Sequence, residues 1–560
     1  MGFSLAGRKV APLHATLEVV LDMPLRGRVA SPFPSMLVGS AIMTNPAQDD
    51  RLLSGKPELG ITIFVLGAAT MVIEIMGTRV IGPVFGVGLF VWSALLSVTL
   101  GALAVGYYCG GVLADKMGNP RLLGTLALAT GVLLALVPLL SHTVLSATEA
   151  LGPRWGALGS AVLLFGPSLT VLGMTGPVAV RRATQDLRLA GRSVGSIYAV
   201  STSGSVLGTL GLVYGIIPAF ETRDILLGTS ALLILLGAAS LAWRKQPAAF
   251  LGMLLPVIGA SASDRPLPNG FSILDRSQSI YGLVEVIEDK NRAVRFLRSD
   301  HSIIGAQFQS DGSPAFAFVH VLEAVRFLRP QARDALQIGL GIGSLPRALS
   351  SHGIRFDTVE IDPAVARFAN QYFGFRANGD VHEEDARTYI RHTQRRYDIV
   401  VHDTFTGGTT PEHLLSLVVL QRISALLRPS GVLALNFIGY HEGAHAEASF
   451  AVARTMRAVF AHVRVFRDAP LTEEPENPGN LLFFASNDEL QFDIPAGTQF
   501  ESEACAQILL SFQSWEVLTS MPSGGLITDA RNPLSRLQMP ATEKHFWAMN
   551  ELIPREVWLH

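Results

Sequence analysis

Apolar and polar positions divide this chain into two halves of different character. Between Leu59 and about residue 245 the apolar runs are long and nearly unbroken. They fall at 60–82, 88–110, 121–141, 157–179, 196–218 and 224–243. Each reaches the roughly 20 residues needed to cross the hydrocarbon of a bilayer. Ionisable residues are almost confined to the connections, as spanning helices require. A seventh run, 247–261, is short and carries Pro256; it reads as a span, an interfacial helix or a re-entrant piece, with the last two favoured. Ahead of the runs, residues 1–56 show no sustained period and are punctuated by Pro, Gly and Ser, which predicts a poorly ordered tail. That tail lacks the basic, apolar and small-residue order of a signal peptide.

Past about residue 262 the runs shorten to strand length. Ser279 to Glu288 alternates, Arg292 to Arg298 is its expected partner, and Asp289-Lys290-Asn291 is the turn. A second hairpin is expected from Ser302 to Phe308 and on towards Phe316, then an amphipathic helix from Phe318 to Leu328. Strand and helix patterns then alternate, which predicts an open, largely parallel sheet. The expected division is a tail (1–56), a membrane-helix domain (57–262), a β-hairpin unit (263–330) and a Rossmann-like α/β domain (331–560).

Composition sharpens the membrane reading. The chain is 49% hydrophobic and 16% charged, with mean hydropathy +0.36, unlike an ordinary soluble protein. A net charge of −2 gives no reason to propose a nucleic-acid partner. Two cysteines, Cys109 and Cys505, cannot build a disulfide framework. Basic residues gather in the even connections: Lys116 and Arg121, then Arg181, Arg182, Arg188 and Arg192, then Arg244 and Lys245. The odd ones hold Arg79, Arg154 and Arg223. Basic loops stay in the cytoplasm, so the N-terminus and even connections are placed there. With six spans the C-terminal half is then cytoplasmic, at the inner membrane. Glu74 and Arg79, inside or at the edge of the first run, are candidates for function or for a charge pair.

Three pieces carry the candidate chemistry: Gly339-Leu340-Gly341-Ile342-Gly343, Val359-Glu360-Ile361-Asp362, and Val401-His402-Asp403-Thr404. Each ends an apolar strand. In open parallel sheets ligands sit beyond the carboxyl ends of the strands. Glycines there let backbone approach a ligand, and an acid about 20 residues on can accept bonds from ribose hydroxyls. Asp362 precedes Pro363 and also suits a helix cap. His402 alternates to the other side of its strand and is read as packing. The scattered histidines give no metal-ligand spacing, so no metal is expected.

The order of glycine turn, Val-Glu-Ile-Asp, Asp385-Ala386-Arg387 and Tyr397-Asp398-Ile399-Val400-Val401-His402-Asp403, preceded by a β-hairpin unit, resembles the polyamine aminopropyltransferases, the spermidine and spermine synthases. The membrane half is similar to that of integral-membrane bacterial members. Gly110 to Gly118 resembles the loop between the second and third helices of major-facilitator transporters. The resemblance implies a class I methyltransferase-type fold, and transfer of an aminopropyl group from decarboxylated S-adenosylmethionine to a putrescine-like amine with release of methylthioadenosine. It implies that Gly339, Gly341, Gly343, Glu360, Asp362, Asp385 and Ala386 bind the nucleoside and that Asp403 takes the amine's proton. It further implies that Tyr281, Gln307, His320 and Thr404 contact substrate, and it allows a homodimer. The chain departs from the family pattern where the glycine turn lacks its usual Asp and where Asp403-Thr404-Phe405-Thr406 lacks the second acid. These losses keep three alternatives open. One is a methyltransferase that uses S-adenosylmethionine on a lipophilic acceptor. Another is a lyase or cyclase releasing methylthioadenosine. The third is a nucleoside-sensing transporter.

Overall fold

The computed structural model describes residues 57–560 apart from 87, 118, 120, 185–189, 243–266, 407, 471–476, 521 and 559–560. The tail 1–56 and the seventh run therefore lie outside the described residues. Six helices cover the six apolar runs: α1 (Pro57–Phe85), α2 (Leu89–Met117), α3 (Leu122–Glu149), α4 (Gly152–Ala183), α5 (Ala190–Gly211, continued by a π-turn over Leu212–Ile216) and α6 (Thr222–Ala242). All are long and apolar enough to cross a membrane. The bundle's outward surface is itself apolar, with Leu100, Tyr108, Leu163 and Leu207 exposed, as lipid-facing helices require. Inside, small residues bring backbones together. A Cβ on Gly106 would overlap Thr170 O on α4, and one on Gly204 would overlap Phe64 O on α1.

A four-stranded antiparallel meander follows: β1 (Phe271–Gln278), β2 (Leu283–Asp289), β3 (Val294–Ser299) and β4 (Ser302–Phe308). The β2–β3 hairpin lies where alternation places it. Two expectations differ. The strand expected from Ser279 starts at Leu283, because Ser279 to Gly282 turns the chain back from β1. The expected second hairpin is reduced to a short return: β4 pairs along its length with β3, and the following segment folds back on it at a Gln307–Pro314 bridge, with Phe308 N donating to Ser313 O and Ala315 N to Ala306 O, each at 2.9 Å.

After α7 (Ala317–Glu323) comes the α/β domain. Its elements in chain order are β5 (Asp334–Ile338), α8 (Ser344–Ser350), β6 (Arg355–Glu360), α9 (Pro363–Tyr372), β7 (Val381–Glu383), α10 (Ala386–His392), β8 (Tyr397–His402), α11 (Leu417–Leu426), β9 (Leu427–Gly439), α12 (Glu447–Arg457), β10 (His462–Arg467), β11 (Gly479–Ser486), α13 (Glu503–Ser511), β12 (Glu516–Val517) and α14 (Met539–Leu552). The sheet order is β12-β10-β11-β9-β8-β5-β6-β7. Strands β5 to β9 run parallel, and β10 to β12 complete the sheet antiparallel. Helices cover both faces, so β5 and β8 are mostly apolar, with Gln337 the polar residue inside β5. Leu336, Ile338, Ile399, Val400 and Val401 are fully buried, each contributing about 1.5–3 kcal/mol relative to exposure.

The α/β half docks on the ends of the membrane helices that carry connections 1–2, 3–4 and 5–6. Arg79 donates to Ser279 O at 2.7 Å and Ile280 O at 3.1 Å, so its guanidinium serves the docking contact rather than Glu74. Arg298 donates to Pro83 O at 3.2 Å. Arg154 pairs with Glu543 at 3.1 Å, Asn550 donates to Glu149 at 2.8 Å, and Thr222 N donates to Gln278 Oε1 at 2.9 Å. Arg181–Asp115 and Arg182–Glu58 tie the opposite end of the bundle. Six spans alone predict that the α/β half shares a side with the arginine-rich connections. The docking puts it at the other end, because these long-range contacts carry no local sequence signal.

Candidate active site

The tips of β5, β6 and β8 meet through hydrogen bonds, one between backbones and one to a carboxylate. Asp403 N donates to Ile338 O at 2.9 Å and Leu340 N to Glu360 Oε2 at 3.0 Å. The first turn after β5 needs glycine at Gly339. Its φ is 81°, and a Cβ there would overlap Asp403 O. Positive φ and no room for a side chain together exclude other residues. The glycine turn and the Asp403 backbone are thus in direct contact.

A cavity of about 420 Å³ opens over these tips. Of the residues singled out in the sequence, Gly339, Gly341, Glu360, Asp362, Asp385, Ala386, Asp403, Thr404 and Tyr281 line it. Three others do not. Gly343 caps α8 with φ 72° and packs against Phe375. Gln307 turns its amide to Gly312 O at 2.7 Å and Phe373 O at 3.3 Å. His320 is buried on α7, and desolvation lowers its pKa. For these three, packing and hydrogen bonding account for the residue's place.

The acids differ in what they have left to give. Glu360 accepts Leu340 N through Oε2 and Asp362 N through Oε1, each at 3.0 Å. Each carboxylate oxygen can accept a second bond. Burial pushes its carboxyl above the ordinary range. Asp362 caps α9 by accepting Ala364 N, and its Oδ2 accepts Ser279 Oγ at 2.7 Å, so the cap reading describes its main work. Asp385 likewise caps α10 through Thr388 N at 2.9 Å. Among the described residues Asp403 has one side-chain partner, Asn436 Nδ2 at 2.9 Å, and desolvation raises its carboxyl to about 6. His402 is fully buried, lies outside the cavity lining and is pushed down to about 4 by desolvation.

Other residues at the site, some lining the cavity and one behind it, have no signal in the sequence. Asp300 sits in the β3–β4 turn at φ 45°, accepts Leu283 N at 3.1 Å, and is raised to about 6 by burial. In sequence it is an ordinary turn aspartate; only the fold aims it into the cavity. Asn436, which holds Asp403, lies in β9 and reads there as an oddity in a buried strand. His545 and Met549 arrive from α14, more than 140 residues from Asp403, with no local pattern to announce them.

Among the described residues one cluster has metal-ligand character: His320, Glu323 and Cys505 lie within 4.8 Å of one another. The Cys505 thiol donates to Glu323 at 3.3 Å, Arg326 pairs with the same carboxylate at 3.1 Å, and burial pushes the thiol up to about 12. A protonated thiol on a paired carboxylate is a satisfied polar cluster.

Residues 319–491 match the spermine/spermidine synthase domain family. The chain is 30% identical over 255 residues to a polyamine aminopropyltransferase of Vibrio vulnificus, covering 43% of this chain and 80% of that one. It is 34% identical over 240 residues to an N-terminal histidine N-methyltransferase of Emericella nidulans, covering 39% of this chain and only 42% of that protein. A probable spermidine synthase from Corynebacterium glutamicum, of known crystal structure, overlaps 48% of this chain and all of its own at 17% identity, with a TM-score of 0.37.

Proposed function

We propose, from the premise that the chain belongs to the spermine and spermidine synthase family, that it is a membrane-bound transferase moving an alkyl group from a sulfonium nucleoside to an amine. The donor we favour is decarboxylated S-adenosylmethionine, and the nucleoside product methylthioadenosine. The observation that carries the reading is Asp403: a partly buried carboxyl raised to about 6 by desolvation, beside the glycine turn, in a cavity where another acid, Asp300, is also raised to about 6.

The residues fit the chemistry. Gly339 and Gly341 leave backbone open to the nucleoside, and Glu360 keeps acceptor capacity for ribose hydroxyls. An alkylammonium has no lone pair to attack with until it loses a proton. Asp403 is placed to take that proton and to stabilise the cation that forms. Its raised proton affinity suits it to the task near neutral pH. The sulfonium is already a good leaving group, so holding amine and donor together supplies much of the remaining rate. Asp300 provides the anion that the family's glycine turn supplies elsewhere and this one lacks.

The second reading is methyl transfer from S-adenosylmethionine, favoured by that same missing acid and by the similarity to an N-methyltransferase. It yields adenosylhomocysteine. The lyase reading yields methylthioadenosine with no amine present. The deciding experiment incubates the purified full chain with each donor, with and without diamines, and identifies the nucleoside product by mass spectrometry. Amine-dependent methylthioadenosine, lost in Asp403→Asn, supports the proposal. Adenosylhomocysteine, or product that needs no amine, overturns it. A cytosolic supply of donor would put the catalytic half on the cytoplasmic side of an inner membrane; the docking face argues against that side.

A further inference from the structure

A second cavity, of about 170 Å³, adjoins the first. One wall comes from the membrane domain, at the end of α1 and the start of α2: Phe85, Leu89 and Phe90 among others. The other wall comes from the segment after β8 and from α14. Gly86, Thr406, Pro411 and His545 line both cavities, so the two abut at these residues. Leu89 is 71% exposed on the first turn of a spanning helix, so the wall of this cavity continues onto the lipid-facing surface. Within it, Thr410 is 1% exposed and its hydroxyl has no partner among the described residues, although Gln538 holds its backbone on both sides. A buried hydroxyl without a partner loses its hydrogen bond to water and gains none in return. A polar ligand would supply one. Glu412 adds an acid to the same lining.

We propose that this cavity is the acceptor site and that the acceptor is an amine carried on a membrane amphiphile. Its hydrocarbon lies along Leu89 and Phe90, its polar head reaches Thr410 and Glu412, and its amine passes Thr406 and His545 to Asp403. The proposal rests on the alkyl-transfer reading above. In the step itself the amine nitrogen forms a bond to the carbon on sulfur. The C–S bond breaks with its electron pair going to sulfur, a neutral thioether leaves, and one N–H proton passes to Asp403.

The test uses the full chain in vesicles and donor labelled in the transferred group. One set of vesicles is phosphatidylcholine with phosphatidylethanolamine. The other is phosphatidylcholine alone, with free putrescine added. Label recovered in the lipid fraction only from the first set supports the proposal. In Thr410→Val, lipid labelling falls at least about ten-fold while methylthioadenosine binding is unchanged. Label on putrescine but never on lipid overturns this proposal and leaves the transferase reading standing. Release of no nucleoside product with any acceptor overturns both.

A different observation carries a second inference. Among the described residues, Lys116, Arg121, Arg181, Arg182 and Arg192 lie at the bundle end away from the α/β half, against Arg79, Arg154 and Arg223 at the docked end. The end of α6 at Ala242 is on the arginine-rich side, whereas Leu267 already packs in the docked half. By the basic-loop rule we infer that the catalytic half faces away from the cytosol, which makes delivery of the nucleoside across the membrane a requirement of the proposed reaction. Full-chain fusions at the C-terminus decide it. Active alkaline phosphatase with dark green fluorescent protein supports the inference, and the reverse pattern overturns it.

Discussion

Replacing Asp403 by Asn should make the protein more stable and inactive. Burial raises this carboxyl from 3.8 to about 6, so the folded state holds the proton more tightly than the unfolded chain does. Between those pH values the native protein binds more protons, and stability falls as pH rises. Above about pH 6 the penalty is complete: about 2 pH units at 1.36 kcal/mol each, or about 3 kcal/mol. Water entering the cavity reduces this, so about 3 kcal/mol is the upper figure. Asn carries no charge, and its carbonyl can still accept the 2.9 Å bond from Asn436. The assay is thermal unfolding of the full chain in one detergent near pH 4, 6 and 8, wild type against variant. The variant's advantage should be absent near pH 4 and grow through pH 6. Transfer should fall by about 100- to 10,000-fold, the usual worth of a general base. An advantage that ignores pH, or a variant less stable than wild type near pH 8, would refute the electrostatic account of this site.

Other expectations follow from the same geometry. Gly339→Ala pushes a methyl into Asp403 O at a φ of 81°; nucleoside affinity by calorimetry should drop at least about ten-fold with the helices of the membrane domain intact by circular dichroism. Glu360→Gln puts an amide donor against Leu340 N–H or Asp362 N–H, and should cost about 1–3 kcal/mol, read as a lower melting temperature together with weaker nucleoside binding. With Asp300 and Asp403 both raised to about 6, kcat/KM should rise with pH through about 6 with a slope above one, and Asp300→Asn should bring that slope back to one.

Much of the site could be read from the chain before it folded. The glycine turn, Glu360 and Asp403 each sit where an apolar strand stops, and strand ends in a parallel sheet converge by construction. Gln307 and His320 are expected at the site only by likeness to a family pattern, and what a side chain faces depends on neighbours: here Gly312 O, Phe373 O and the packing under α7. Asp300 went unnoticed because an acid in a tight turn has the same local signature whether it meets solvent or a cavity.

The sequence by itself determined the six apolar helices, the strand–helix alternation and the cap at Asp362, because periodicity, chain length and capping are local properties. Only the tertiary structure decided which end of the bundle carries the catalytic half, that α14 brings His545 between two cavities, and that Arg79 reaches Ser279 across 200 residues. Those contacts join segments far apart in the chain. Their energy depends on which surfaces meet, and no stretch of residues records that alone.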